Sequence, residues 1–409
     1  MRLHRNLIDK LHYISFGIVI ATIPLPMILN NITIFIFIFF SLLNIKRFKL
    51  IKKTPWLLFP VLFIISLLSV TYSCDLTSGL KGLEKTLSFI IFFLFVPTLN
   101  IDSNQIKKLL NIFAYVCLLA LLYCLLMATY NVWDTGSLYI FNPENLVDEN
   151  YNLYHRFSKP LELHAVYFGM YLVFSSCIFL NNFKNNGKTG KIYIGIIVGV
   201  LAIGIYLLQS FSVLVAYFIV LLVFFLFMHK HNLNFKKLAL LALVIFLPAT
   251  IFLNKAKVFE GNIFEYTIEN DIHNTNWNSL NIRLAKWESA LAVVKENNVL
   301  FGSGIGCTQS RLNEMYNKKK FTIGYQKKFN THNEYIHYLV ELGVLGLLTY
   351  LFFLGSGLFL SLKKNDFLLF GIVALMIICG MTENILGVNK GIVFFTSIYY
   401  LILLKNEKE

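Results

Sequence analysis

The segment THNEYIHYLVELGVLG, Thr331 to Gly346, runs straight into LLTYLFFLGSGLFL. The second part is apolar enough to read as a membrane helix. The first part is not. Asn333, His337 and Glu341 recur at i, i+4 and i+8, which puts them on one face of a continuing helix, with His332 just ahead of them. Ionisable groups in a membrane helix are costly unless they face protein or water. The segment therefore predicts a helix that enters a bilayer with one face turned into a polar, protein-lined space.

Apolar runs of this kind recur along all 409 residues, of which 57% are hydrophobic, 16% aromatic and 14% charged. A soluble domain carries roughly 25% charged residues. The expected fold is an all-α polytopic membrane protein. About twelve runs are long enough to be spanning helices, centred near residues 20, 38, 64, 91, 120, 172, 200, 220, 246, 348, 374 and 398. The net charge of +14 does not point to nucleic acid, because the lysines and arginines sit in short clusters between apolar runs. Those clusters follow every second span: Arg2, Arg5 and Lys10; IKRFKLIKK at 45–53; Lys107 and Lys108; Lys184, Lys188 and Lys191; Lys230, Lys236 and Lys237; Lys363 and Lys364; Lys405 and Lys408. An even number of spans with both termini cytoplasmic fits them. The first run has basic flanks but no small-residue cleavage site, so no cleavable signal peptide is expected.

This topology divides the chain into 1–254, holding nine spans and an outer loop at 131–162, then a large outer loop at 255–334, then 335–409 with three more spans. Long loops in a compact protein are usually functional or disordered. Within the large one, NIRLAKWESALAVVKENN spaces Ile282, Ala285, Leu291 and Val294 like an amphipathic helix, with Trp287 placed to anchor it at the interface.

The chemistry concentrates in the outer segments. The first holds His155, Arg156, Lys159 and His164; the second holds Arg283, the glycine-rich GSGIG with Gly302, Gly304 and Gly306, and His332. Such a basic cluster suits an anionic lipid head group. Arginine binds phosphate through paired hydrogen bonds, and a histidine can take a proton from an attacking hydroxyl. Arg156 and Arg283 taken singly are equally compatible with a place among lipid head groups. GSGIG is no P-loop and no dinucleotide fingerprint, and is compatible with an ordinary turn. His332 and His337 are five apart, without HExxH, so no metal site is expected. Six cysteines show no metal spacing; four lie in apolar runs, and a disulfide between Cys74 and Cys307, both on the outer side, is open. Gly343 and Gly346 are expected to allow close helix packing.

Taken together, RLAKWESALAVVKENNVLFGSGIG followed by HNEYIHYLVELGVLGLL resembles the signature region of the O-antigen ligase and polymerase superfamily. Arg283, Gly302, Gly304, Gly306, His332, Asn333, Glu341, Gly343 and Gly346 fill the places of that pattern, with Ile336 where leucine is common. RFSKPLELHAVYFGMY is similar to an earlier segment of the family, with Ala165 in place of proline, and MTENILGVNKGIVFF to a later one through Glu383 and Gly391. One departure is LLQSFSVLVAY, where Phe211 follows Ser210 at a position at which many members carry an arginine. The resemblance implies a glycosyltransferase at the periplasmic face of a bacterial inner membrane. Its donor would be a glycan on undecaprenyl pyrophosphate. Its acceptor would be a hydroxyl of lipid A–core oligosaccharide in a ligase, or another lipid-linked repeat in a polymerase. His332 would be the base, and Arg156, Arg283 and Lys159 would bind the pyrophosphate. Asn333, His337 and Glu341 would support His332 from below, and the transfer would invert the anomeric carbon without cofactor or metal. Membrane lipids are the expected surroundings. A ligase is the leading expectation and a polymerase the runner-up. A transporter fits less well, since no repeated halves are evident.

Overall fold

A computed structural model describes residues 2–48, 51, 54–135, 153–183, 186–228 and 279–408. The run near 246, the cluster Lys230, Lys236 and Lys237, and residues 136–152 and 255–278 of the two outer loops lie outside the described residues. Among the described residues the chain is helical, with no strand. The longer helices are α1 (Arg2–Thr22), α2 (Met27–Leu43), α3 (Thr54–Ser69), α4 (Leu76–Phe95), α5 (Ser103–Thr135), and, after the short α6 (His155–Ser158), α7 (Ala165–Asn182), α8 (Lys188–Leu207) and α9 (Phe211–Met228). Three helices follow from the large loop: α10 (Ser279–Glu296), α11 (Thr308–Lys318) and α12 (Thr322–Lys327). The chain ends with α13 (Glu334–Lys364), α14 (Phe367–Gly380) and α15 (Asn389–Lys408).

Among the described residues, five helical segments are long and apolar enough to cross a membrane: Thr54–Tyr72, Ser103–Asp134, Ala165–Asn182, Lys188–Leu207 and Glu334–Lys364. The remaining predicted runs inside the described residues are also helical, though shorter or more polar. α4 is polar in its first half, where Lys81, Glu84 and Lys85 fall, because that half borders the loop helices rather than lipid. α7 lies at the centre, with every residue from Ala165 to Leu180 buried, and packs against α5, α8, α9 and α14. The outer faces carry large exposed side chains such as Phe35, Leu126, Phe352 and Phe359. Apolar surface of that extent suits a lipid environment.

The loop helices form a small core of their own. Ala285, Ala290, Val293, Leu312, Met315, Tyr316 and Phe321 pack together and against Val340 of α13. Here the expected stripe on α10 shifts: Leu291 is exposed, whereas Lys286 is buried. Alanine and serine at 285, 289 and 290 let α10 lie close on its neighbours, so a face of small residues is buried in preference to the larger Leu291.

Candidate functional site

α13 is not continuous. Gly343 has φ 67 and ψ −161, so the helix breaks there. The break leaves carbonyls without helical partners, and the glycine-rich turn supplies them. Ser303 N–H donates to the Val340 carbonyl at 2.8 Å and Gly304 N–H to that of Glu341 at 2.9 Å. In return, Val344 N–H donates to the Val299 carbonyl at 2.9 Å. A Cβ on Gly343 would lie 2.4 Å from the Leu300 carbonyl, and one on Gly302, itself at φ 73, 2.5 Å from Gly343 N. The two glycine motifs read in sequence are thus halves of one backbone-to-backbone joint. Irregular backbone at such a level is tolerated where protein satisfies it.

The far side of the turn is pinned to the α3–α4 connection. Ser69 and Ser73 hydroxyls accept from Ile305 and Gly306 N–H at 3.2 and 2.9 Å, and Tyr72 donates to the Phe301 carbonyl at 2.7 Å. Cys74 and Cys307 form a disulfide across 233 residues. The four other cysteines are free and buried.

This joint fixes the chain that carries His332. Asn333 caps α13, accepting from Ile336 N–H at 3.0 Å, and donates to the Met381 carbonyl at 3.1 Å. Asn384 Oδ1 accepts from Thr331 Oγ1 and from Asn333 N–H, at 3.0 and 2.9 Å, and its carbonyl accepts from Tyr167 OH at 3.0 Å. His332 is held at φ 44, a left-handed conformation for a residue with a Cβ, with Asn330 Oδ1 accepting from its N–H at 3.0 Å. Strained backbone of this kind persists where neighbours over-determine it.

The clamp delivers Glu383 to His332. Nδ1 of His332 lies 3.0 Å from Glu383 Oε2, and the Arg283 guanidinium lies 3.7 Å from Glu383 Oε1. Burial pushes the Glu383 carboxyl up. The hydrogen bond and charge of His332, with the charges of His164 and Arg283, outweigh it and hold the carboxyl below its ordinary range. Lys286, one turn along α10 from Arg283, lies over the Phe329 ring at 3.8 Å from its centre. Burial, then the charge of Arg283, lowers its ammonium to about 8, against an opposing pull from Glu383.

His155 and His164 border this group, their rings 4.0 Å apart. Their Nδ1 atoms accept from the first amides of α7, Ala165 and Val166 N–H, each at 3.4 Å. Burial lowers both, His155 to about 4 with help from His164; Glu383 pulls each the other way. Arg156 is half-buried on α6 beside His155, and Lys159 is exposed on the next turn.

The polar stripe of α13 divides. Asn333 belongs to the His332 clamp. His337 Nε2 instead meets Glu341 Oε2 at 3.3 Å, which also accepts from Thr308 at 3.3 Å, and both residues line a cavity on the other side of the clamp. Sequence reasoning gave Glu383 a place in a motif but no role, and passed over Asn330, Asn384 and Lys286. The available signal was an acidic residue flanked by apolar runs, which is costly without a partner.

Fold and site together define a multi-pass membrane protein, helical among its described residues, with a His–carboxylate–Arg group at one end of its bundle. Residues 196–351, less than half of the chain, match the family model described as O-antigen ligase, which supports the O-antigen ligase superfamily. The matched stretch holds Arg283 and His332 but not Glu383, His155 or His164. Comparison with curated proteins found no match.

Proposed function

We propose that the protein transfers a glycan from undecaprenyl pyrophosphate to a hydroxyl of lipid A–core, with inversion, at the periplasmic face of the inner membrane. The observation that carries this reading is Glu383, whose two oxygens meet His332 and Arg283. An ionised Glu383 accepts from Nδ1–H of His332, so Nε2 keeps its lone pair. Nε2 is then the atom that takes the acceptor's proton as its oxygen bonds to the anomeric carbon. The bond from that carbon to the phosphate oxygen breaks on the opposite face, and undecaprenyl pyrophosphate leaves. Arg283, with Arg156 on α6 and Lys159 just after it, meets the charge of the leaving group. Glu383 stabilises the imidazolium as it forms.

Two further observations favour an outward-facing site. A disulfide is kept in an oxidising compartment, and Cys74–Cys307 lies beside the joint that fixes the His332 chain. Lys363 and Lys364 close the opposite end of α13 from His332, as a cytoplasmic end would be closed. α14, at 14 residues, rises roughly 21 Å against a hydrocarbon thickness of about 30 Å, which would set the Glu383 turn in a recess rather than at the surface.

The test is a strain lacking the protein, complemented with wild type or His332→Ala. Bare core with accumulated lipid-linked polymer, restored by wild type alone, is expected. Core capped by a single repeat would make the acceptor another repeat and the enzyme a polymerase. Unchanged glycan in both pools would overturn the reading.

A further inference from the structure

Beyond the clamp that carries His332 lies a second polar space, a cavity of about 470 Å³. α13 contributes Glu334, His337 and Glu341 to it, α4 contributes Lys81 and Lys85, and α11 contributes Gln309. Asn330 and Asn384, which hold the His332 turn, also form part of its wall. The cavity and the His332–Glu383–Arg283 group are therefore back to back, separated by one turn of chain.

The lining is not that of a packing defect, because voids left by imperfect cores are apolar. Glu334 is 1% exposed, and its Oε2 accepts from Leu386 N–H at 3.1 Å. A polar space of this size beside the His332 turn marks a place for a hydrophilic ligand. The charges restrict its chemistry. Lys81 interacts with Asp75 and Lys85 with Glu341, so the two lysines are each met by a carboxylate and neither sign dominates. Gln309, Ser310 and Asn384 add amides and a hydroxyl to the wall, and Ile305, Leu312 and Leu386 add apolar surface. Amide, hydroxyl and charged groups beside apolar surface match a sugar ring, with hydroxyls at its edge and C–H groups on its faces.

We propose that this cavity binds a sugar residue of one of the two glycans engaged in transfer, holding it behind the His332 turn. The inference rests on the glycosyltransferase reading above. The sugar belongs either to the acceptor oligosaccharide or to the donor glycan, and the two are separable by experiment.

The experiment is saturation-transfer NMR on the full-length protein in lipid nanodiscs, with two probes: lipid-free core oligosaccharide, and the repeat-unit oligosaccharide freed from its lipid. The proteins are wild type, Lys81→Ala/Lys85→Ala, and Ser310→Trp, which places an indole at the cavity wall. Glycan transfer is assayed on the same samples. Loss of saturation transfer to core oligosaccharide in both variants, with KM for the acceptor raised about tenfold, assigns the cavity to the acceptor. The same loss for the repeat-unit probe assigns it to the donor. Wild-type binding of both probes retained by both variants overturns the cavity assignment while leaving the glycosyltransferase reading intact. Transfer by wild type without saturation of either probe also overturns it. A wild type that neither transfers nor binds either probe overturns both.

Discussion

Replacing Glu383 by Gln tests the centre of the site. The amide keeps the shape and can still accept from His332 Nδ1–H, but the charge is gone. Hydrogen bonds to charged groups contribute about 1.5–3 kcal/mol against about 1 kcal/mol for neutral ones. In the reaction this difference grows as His332 becomes an imidazolium 3.0 Å from the carboxylate. A transition-state loss of about 1.4–3 kcal/mol corresponds to roughly 10- to 100-fold in rate. We expect kcat for glycan transfer by the purified Glu383→Gln protein to fall by about that factor, with KM for the acceptor little changed. Combined with His332→Ala, the second change should cost almost nothing further, since the two groups act as a unit. The pH dependence has a definite sign. Because the Glu383 carboxyl is held below its ordinary value of 4.5, its pairing stabilises the protein above that pH and is lost as pH falls through the folded value. The acid limb of the rate profile above pH 4.5 should therefore not report Glu383. A Glu383→Gln enzyme with wild-type kcat and wild-type folding would refute the positioning role.

Three other predictions concern the frame around the site. Gly343→Ala should lower the unfolding temperature and cost about 1–3 kcal/mol or more, since the residue is left-handed and its new methyl would press on the Leu300 carbonyl; an unchanged melting curve would remove the joint from the account. Cys74 and Cys307 should resist maleimide in the denatured chain until a reductant is added, and replacing both with Ser should cost about 2–4 kcal/mol; labelling of either without reductant would rule out the bond. Lys286→Met should stabilise the protein at pH 7 by up to about 3 kcal/mol, less the loss of its contact with Phe329. The folded lysine loses its proton near pH 8 and the unfolded one near 10.5, so wild-type stability rises across that window and the advantage of Met shrinks. A variant less stable than wild type at pH 7 would refute the burial cost.

The apolar runs, the all-helical class and the two glycine motifs were legible in the sequence because each depends on residues within a few positions of one another. Periodicity places His337 and Glu341 on a common face whatever they touch. What they touch is a tertiary matter. His337 and Glu341, which looked like support for His332, serve a different cavity, because the N-cap at Asn333 turns His332 away to the Glu383 side. Gly343 read as a packing residue, whereas the freed carbonyls of α13 and the Ser303 and Gly304 amides make it a break. The pairing of Cys74 with Cys307, open in the sequence, needed the α3–α4 turn and the loop to meet. Lys286 is buried and Leu291 is not, because the face α10 presents was decided by close approach and not by its own hydrophobicity. By itself the sequence determined which segments are helical and which residue types are available for chemistry. The tertiary structure alone decided that His332, Glu383 and Arg283 stand together, since segments 50 to 100 residues apart are joined by packing and hydrogen bonds that leave no local trace in the chain.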